Sequence, residues 1–276
     1  DPMARYVYLF GGGKADGNAK QKDLLGGKGA NLAEMARLGI PVPPGFTITT
    51  EVSAAFHAAG KLPDDVQKEV VAALPSIEQT VGAKFGAPSH PLLVSVRSGA
   101  RASMPGMMDT VLNLGMNDEV AAGLAKQTGN PRFAYDAYRR FITMYADVVL
   151  KVDRHKFENE LTKVRTQVAE KKGLNPAHYN EEELRRKVPD SEIGADDLQK
   201  LVPVFKGIVE KATGKPFPTD PMAQLAGAIG AVFESWNNQR AKVYRKMHGI
   251  PESWGTACTV QAMVFGNMGD DSATGV

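Results

Sequence analysis

The 276-residue chain has a single cysteine, Cys258, which excludes an internal disulfide framework and any zinc cluster built on several thiolates. It has no apolar run near the ~20 residues that a membrane-crossing helix needs, and its N-terminus lacks the charged-then-apolar order of a secretory signal. It also has almost no net charge. With 33 basic and 31 acidic side chains the formal balance is +2, so no global field draws the protein to nucleic acid or to anionic lipid. Any anion must be caught locally. The five histidines, His57, His90, His155, His178 and His248, are scattered without metal-ligand spacing. No Ser-His-Asp set can be read and no nucleophile elbow occurs. Lys28 is followed by Gly29 and Lys14 by Ala15, where a Walker A motif needs Ser or Thr, and no Gly-x-Gly-x-x-Gly follows a strand. These absences exclude a standard P-loop or Rossmann protein. They predict an intracellular chain whose 43% hydrophobic residues suffice for a real core.

What is present reads as two α/β pieces around a helical middle. Tyr6 to Phe10 predicts a first strand ending at Gly11-Gly12-Gly13. A second glycine cluster, Gly26-Gly27-Lys28-Gly29, predicts a helix start, with Leu32, Met35 and Ala36 at helical spacing and Gly39 as the stop. The prolines after Ile40 forbid helix, Phe46 to Thr49 has strand alternation, and Thr50 is placed to cap a helix ending at Gly60. Val66, Val70, Leu74, Ile77 and Val81 mark a longer helix, and Leu92 to Val96 a strand. Asn130-Pro131 opens a helix to about Leu150 with an aromatic face of Tyr135, Tyr138, Phe141 and Tyr145. From Asp153 to Leu201 charge density rises, and "EEELRRK" reads as a solvated helical face. Asp220-Pro221 starts another strong helix. "TACTVQAMVF" reads as a closing strand whose unpaired backbone predicts a missing hairpin partner, and so a chain that is part of something longer.

The chemistry sits in the glycine-rich loops. In "VSVRSGARASMPGMMDT", Arg97 and Arg101 lie among Ser, Gly and Ala; arginine forks match phosphate oxygens, and small neighbours let backbone N–H groups approach the same anion. A turn with two solvated arginines has the same composition. Lys28 at a helix start is a second phosphate candidate, against the plainer reading of a surface lysine. A third loop, Gly269 to Gly275, carries Asp270, Asp271, Ser272 and Thr274, and reads as a phosphate cover or as a polar hairpin tip. The strand before it could wall an adenine ring or simply belong to the core.

"LLGGKGANLAEMARLGIPVPPGFTITTE", "LLVSVRSGARASMPGMMDTVLNLGMND", "GNPRFAYDAYRRFITMYADVV" and "WGTACTVQAMVFGNMGDDSATGV" together resemble the N-terminal nucleotide-binding domain of the pyruvate, phosphate dikinase family. The likeness covers nearly the whole chain and weakens between about Asp153 and Pro218. Phosphoenolpyruvate synthase, a water dikinase, shares the Gly-Gly-Lys opening and the Val-Arg-Ser strand end, but lacks the continuation from Gly99 to Asp109. The resemblance implies an α+β, ATP-grasp-like domain. Residues 3–114 plus 219–261 would form the first subdomain, 115–218 an inserted helical subdomain, and 262–276 the start of an incomplete second one.

Carried over residue by residue, the resemblance implies that Lys28 and Arg97 hold the ATP phosphates and are catalytic in effect. Gly99, Arg101, Ser103 and Gly106 would line the same cavity, Gln261, Ala262 and Met263 the adenine pocket, and Ser272, Thr274 and Gly275 a glycine-rich cover. It implies Mg-ATP as ligand and interconversion of ATP, phosphate and pyruvate with AMP, pyrophosphate and phosphoenolpyruvate. The phosphoryl group would pass to a carrier histidine on a domain absent from this chain, with pyruvate bound on another. It further implies a homodimeric, cytoplasmic or organellar full-length enzyme with no nucleic-acid or membrane partner, and a chain that alone does not complete the reaction. A water dikinase domain and a non-catalytic docking module using the aromatic face are the alternatives.

Overall fold

The structure, a computed structural model, describes residues 5–269 and 271–273. The first elements are β1 (Val7–Gly11), β2 (Lys14–Ala15), α1 (Lys22–Arg37), β3 (Gly45–Ile48), α2 (Glu51–Ala59) and α3 (Asp64–Val81). Next come β4 (Lys84–Phe85), β5 (Pro91–Leu92), β6 (Val94–Ala100) and β7 (Thr110–Leu114). Helices α4 (Asp118–Thr128), α5 (Pro131–Val148), α6 (His155–Lys171), α7 (Glu181–Lys187), α8 (Ala195–Thr213), α9 (Pro221–Glu234) and α10 (Gln239–His248) follow, before strand β8 (Thr256–Ala262). The fold is mixed α+β. Its main sheet runs β2-β1-β3-β8-β6-β7 with antiparallel pairs, while β4 and β5 make a short parallel pair. Two compact units divide the chain: one ends at Gly115 and resumes over Asp220–Val264, and the other takes Met116–Thr219 with the residues from Phe265 onward. No helix among the described residues is long and apolar enough to cross a membrane.

In the sheet unit, strand alternation sorts side chains onto two faces. Phe46, Ile48, Val94, Val96, Cys258 and Val260 are fully buried on one face, and α9 packs on β6, β7 and β8 with a stripe of Leu225, Ala228, Ile229 and Val232. The other face is polar, with Thr47 paired to Thr259 at 3.3 Å between hydroxyl oxygens and with Arg97 and Gln261 beside them. Helix α1 lies on this face. Its Gly29 has no room for more: a Cβ there would stand 2.8 Å from the Thr47 side chain.

Several expectations need correction. The strand expected to stop at Val96 continues to Ala100, because β8 pairs with it from Val94 against Ala262 to Ala100 against Thr256. Arg97 and Gly99 are therefore strand residues rather than loop residues, since ladder partners far along the chain override the loop composition of Ser, Gly and Ala. Strand β7, which carries no clear alternation, forms as the hairpin partner of β6. The closing strand ends at Ala262, not Phe265, and β8 is interior, paired with β3 and β6. The argument from its unpaired backbone does not hold. Thr50 does not cap α2 with its side chain; its hydroxyl donates to the Asp23 carbonyl at 2.7 Å.

In the helical unit, the Asn130 side chain accepts from the Phe133 amide and starts α5 as its sequence dictates. The aromatic face of α5 is turned into that unit's own core, where Phe141 and Tyr145 both meet Phe217 edge-on. Burial pushes the Tyr145 hydroxyl up to about 12. Tyr138, Phe141 and Tyr145 are buried and so not available for docking, while Tyr135 is half-buried. The charged stretch after Asp153 resolves into α6, α7 and α8, and α7 exposes every residue but Leu184, as a solvated face should. At the centre lies Asp190. Burial opposes its charge, yet hydrogen bonds from Arg165 and Arg139, both at 2.7 Å, hold its carboxyl down to about 2.

Candidate functional site

The site is built where α1 meets the end of β6. Helix α1 begins at Lys22, four residues earlier than the glycine cluster suggests, but Gly26 interrupts it with φ 68° and ψ 173°. That break starts a fresh helical turn at Gly27-Lys28, so amide donors and the positive end of a helix dipole face the same region as the lysine. Only glycine can stand at the break. A Cβ on Gly26 would come within 1.8 Å of the Gly99 carbonyl oxygen, so the bare backbones of α1 and β6 touch directly.

A cleft of about 540 Å3 opens beside this contact, lined by Lys28, Asn31, Gly99, Ser103, Met104 and Gly106 among others. Its walls are mostly backbone and small side chains. The Lys28 ammonium donates to the Ser98 carbonyl at 3.0 Å. Its pKa is lowered, first by the loss of solvation in this concave setting and second by the charge of Arg97. The depression of Arg97 comes from burial. Its guanidinium donates to the Gln261 side-chain oxygen, while the Gln261 amide nitrogen donates to the Pro43 carbonyl at 2.9 Å. Two cations that repel one another, with amides and hydroxyls around them, form a site that an anion would relieve.

The structure thus brings Lys28, Gly99, Ser103 and Gly106 onto one cleft; Arg97 and Gln261 are outside its lining, on the polar sheet face, with the Arg97 charge near enough to act on Lys28. Arg101 stands apart. Its guanidinium lies 3.0 Å from Asp23 and stacks 4.6 Å from the Trp254 ring centre, outside the cleft lining. Ala262 and Met263 have their amides bonded to the carbonyls of Pro44 and Leu93. Both amides are thus taken, and the Met263 side chain is half-buried. Ser272 belongs to the other unit, where its amide closes a turn onto Gly269. Thr274 and Gly275 lie outside the described residues.

Two contributors escape sequence reading. Asn31 sits three residues after Lys28, one helical turn on, and that spacing was the available signal. Arg240 on α10 had none. It bonds the Met107 carbonyl at 3.0 Å and pairs with Asp109, tying down the loop that forms the cleft rim.

Comparison with known proteins gives the family. A family model described as "Pyruvate phosphate dikinase, AMP/ATP-binding domain" matches residues 22–72 and 58–276. The chain is 51% identical over 276 residues to pyruvate, phosphate dikinase of Clostridium symbiosum, covering 99% of this chain and 29% of that protein. It is 50% identical over 275 residues to the Rhizobium meliloti (strain 1021) enzyme, with 99% and 29% covered. With the chloroplastic pyruvate, phosphate dikinase 1 of Oryza sativa subsp. japonica it shares 51% over 271 residues, 98% of this chain and 27% of that one. The chain therefore spans under a third of the length of these relatives. None of the three is a water dikinase. By this match the chain belongs to the pyruvate, phosphate dikinase family, as its AMP/ATP-binding domain.

Proposed function

We propose that this chain binds ATP with the triphosphate at the α1–β6 contact, as the nucleotide-binding half of an ATP-grasp clamp. The observation that carries the reading is the pairing of Lys28 with Arg97 beside a cleft of backbone and small side chains. Lys28 serves as a point charge and Arg97, held by Gln261, as an oriented fork. The turn at Gly27 and the loop from Arg101 to Gly106 supply amides for the remaining oxygens, while the Gly99 amide is held by the Thr256 hydroxyl at 3.1 Å. Gln261 to Met263 flank the adenine through carbonyls and the Met263 side chain. Phosphoryl transfer depends mainly on positioning and on neutralising charge, so these residues act on the reaction by holding the transferring group in line.

In the longer enzyme the acceptor is a carrier histidine on another domain, which delivers the group to pyruvate; that enzyme is a homodimer. Magnesium accompanies the nucleotide in this reading. Among the described residues no three His, Cys, Asp or Glu side chains converge on a common point, and a magnesium ion carried by a nucleotide draws most of its ligands from phosphate and water. No step is assigned to the metal.

Calorimetric titration of the chain with ATP tests the reading. Arg97→Ala and Lys28→Ala are each expected to weaken binding roughly tenfold or more, the scale of a lost charge-assisted contact. Unchanged affinity in both variants would place the phosphates elsewhere.

A further inference from the structure

The helical unit carries a second concentration of positive charge, independent of the cleft. A cavity of about 350 Å3 lies among α5, α6, α7 and the segment at Pro189 and Asp190. Arg139, Arg140, Arg154 and Arg185 line it, with Glu158 and Asp190 as the lining carboxylates. Arg165 and Asp136 complete the network behind. Five arginines against three carboxylates leave a surplus of two positive charges.

The donors tell the same story as the charges. Arg165, behind the cavity, places Nη1 on the Val188 carbonyl and Nη2 on Asp190, which leaves its Nε without a protein acceptor. The lining arginines also keep unused donors. Arg139 uses Nε and Nη2 on Asp136 and Asp190, and Arg140 uses Nε on Asp136 with Nη2 3.6 Å from Asp190. Arg154 uses only Nε, on Glu158 at 3.0 Å. The Arg185 side chain has no hydrogen bond or ion pair among the described residues. A purely structural ion network would match forks to acceptors, whereas this one leaves Nη1 on three arginines and a whole guanidinium without a protein acceptor. Arg139 is also only 8% exposed, so part of this unmatched capacity is fixed in place.

We propose that this cavity binds a small phosphate dianion, either free phosphate or the phosphate of a small monoester. Its double charge equals the surplus, and its oxygens suit guanidinium forks arriving from different helices. Phe157 and Phe205, each 1% exposed, close the floor, so recognition rests on charge and donor geometry. Occupancy would tie α5, α6 and α7 together and stabilise the unit by mass action.

The test is 15N–1H NMR of the arginine Nε–Hε signals in the full chain carrying Arg97→Ala, which disables the proposed nucleotide cleft. Inorganic phosphate, methyl phosphate and, at matched ionic strength, sodium chloride are the titrants. The expected result is saturable shifts of Arg139, Arg140, Arg154 and Arg185 with the phosphates but not with chloride. In the Arg154→Gln, Arg185→Gln double variant, affinity should fall roughly tenfold or more, while the retained Arg139 and Arg165 signals report an intact fold. Tighter binding of methyl phosphate would identify a monoester as the occupant, and tighter binding of phosphate the free ion. No saturable shift at millimolar phosphate, equal shifts with chloride, or undiminished affinity in the double variant would each overturn the proposal.

Discussion

At the scale of single residues, two ionisable groups make opposite contributions. Lys28 has a folded pKa below its ordinary 10.5, so its charged form disfavours the folded state at neutral pH, and that cost fades as pH rises through the folded value towards 10.5. Replacing it by Met should therefore not lower the Tm of the free chain, while the Tm increase caused by ATP should shrink sharply. Thermal unfolding with and without nucleotide checks both halves. A fall in the free chain's Tm would make Lys28 a structural residue instead. Asp190 runs the other way. Its folded pKa of about 2 against an ordinary 3.8 gives stability that is present above the ordinary value and lost as pH falls through about 2. The contribution is roughly 2 kcal/mol at neutral pH. Asp190→Asn leaves Arg165 and Arg139 short of their shared anion and should cost about 3 kcal/mol in urea unfolding at pH 7. The difference from the parent chain should narrow between pH 4 and pH 2. Lys28 and Arg97 were legible in the sequence because charged side chains stand out among Gly, Ser and Ala. The Arg97–Gln261 contact was not, because it spans 164 positions and exists only through the β6–β8 register.

Elements are where composition misleads and pairing decides. Most helices announced themselves through caps and apolar spacing: Asn130 before α5, Asp220 before α9 and the stripe of α3 are all in place. The end of β6 did not, since Arg97 to Ala100 has a loop's composition and becomes strand only because β8 lies alongside. The meeting of α1 with β6 depends on Gly26, where a side chain faces both a positive φ and a backbone oxygen. Gly26→Ala is expected to destabilise by at least ~2 kcal/mol, because the colliding atom is main chain and cannot swing aside. It should also weaken ATP binding by spreading α1 from β6. Full stability in that variant would show the contact to be looser than described. Arg240→Ala probes the loop rim differently. The residue is half-exposed on α10, so its loss should leave the global transition nearly unchanged while hydrogen exchange at Met107 and Asp109 quickens and ATP affinity falls. Unaltered exchange would remove Arg240 as a positioning residue.

At the scale of the whole molecule, the decisive fact is that the sheet unit is discontinuous in sequence and continuous in space. Strand β8, from the second stretch, is paired on both edges by strands of the first, so neither stretch can complete the sheet alone. The two points where the chain leaves and re-enters this unit are close. The Gly115 amide bonds the Gln224 side chain at 3.1 Å, and the positions of Gly86 and Pro221 are nearly in contact. A short flexible linker can therefore replace residues 116–219 without stretching either end. The chain cut in this way and ended at Val264 should unfold cooperatively in urea, and should keep whatever ATP affinity depends on Lys28 and Arg97. Every strand of the main sheet, with α1, α9 and α10, remains in it. If it instead behaves as an unfolded chain, then the helices between Met116 and Thr219 are required to hold the sheet together, and the sheet unit is not a folding unit on its own.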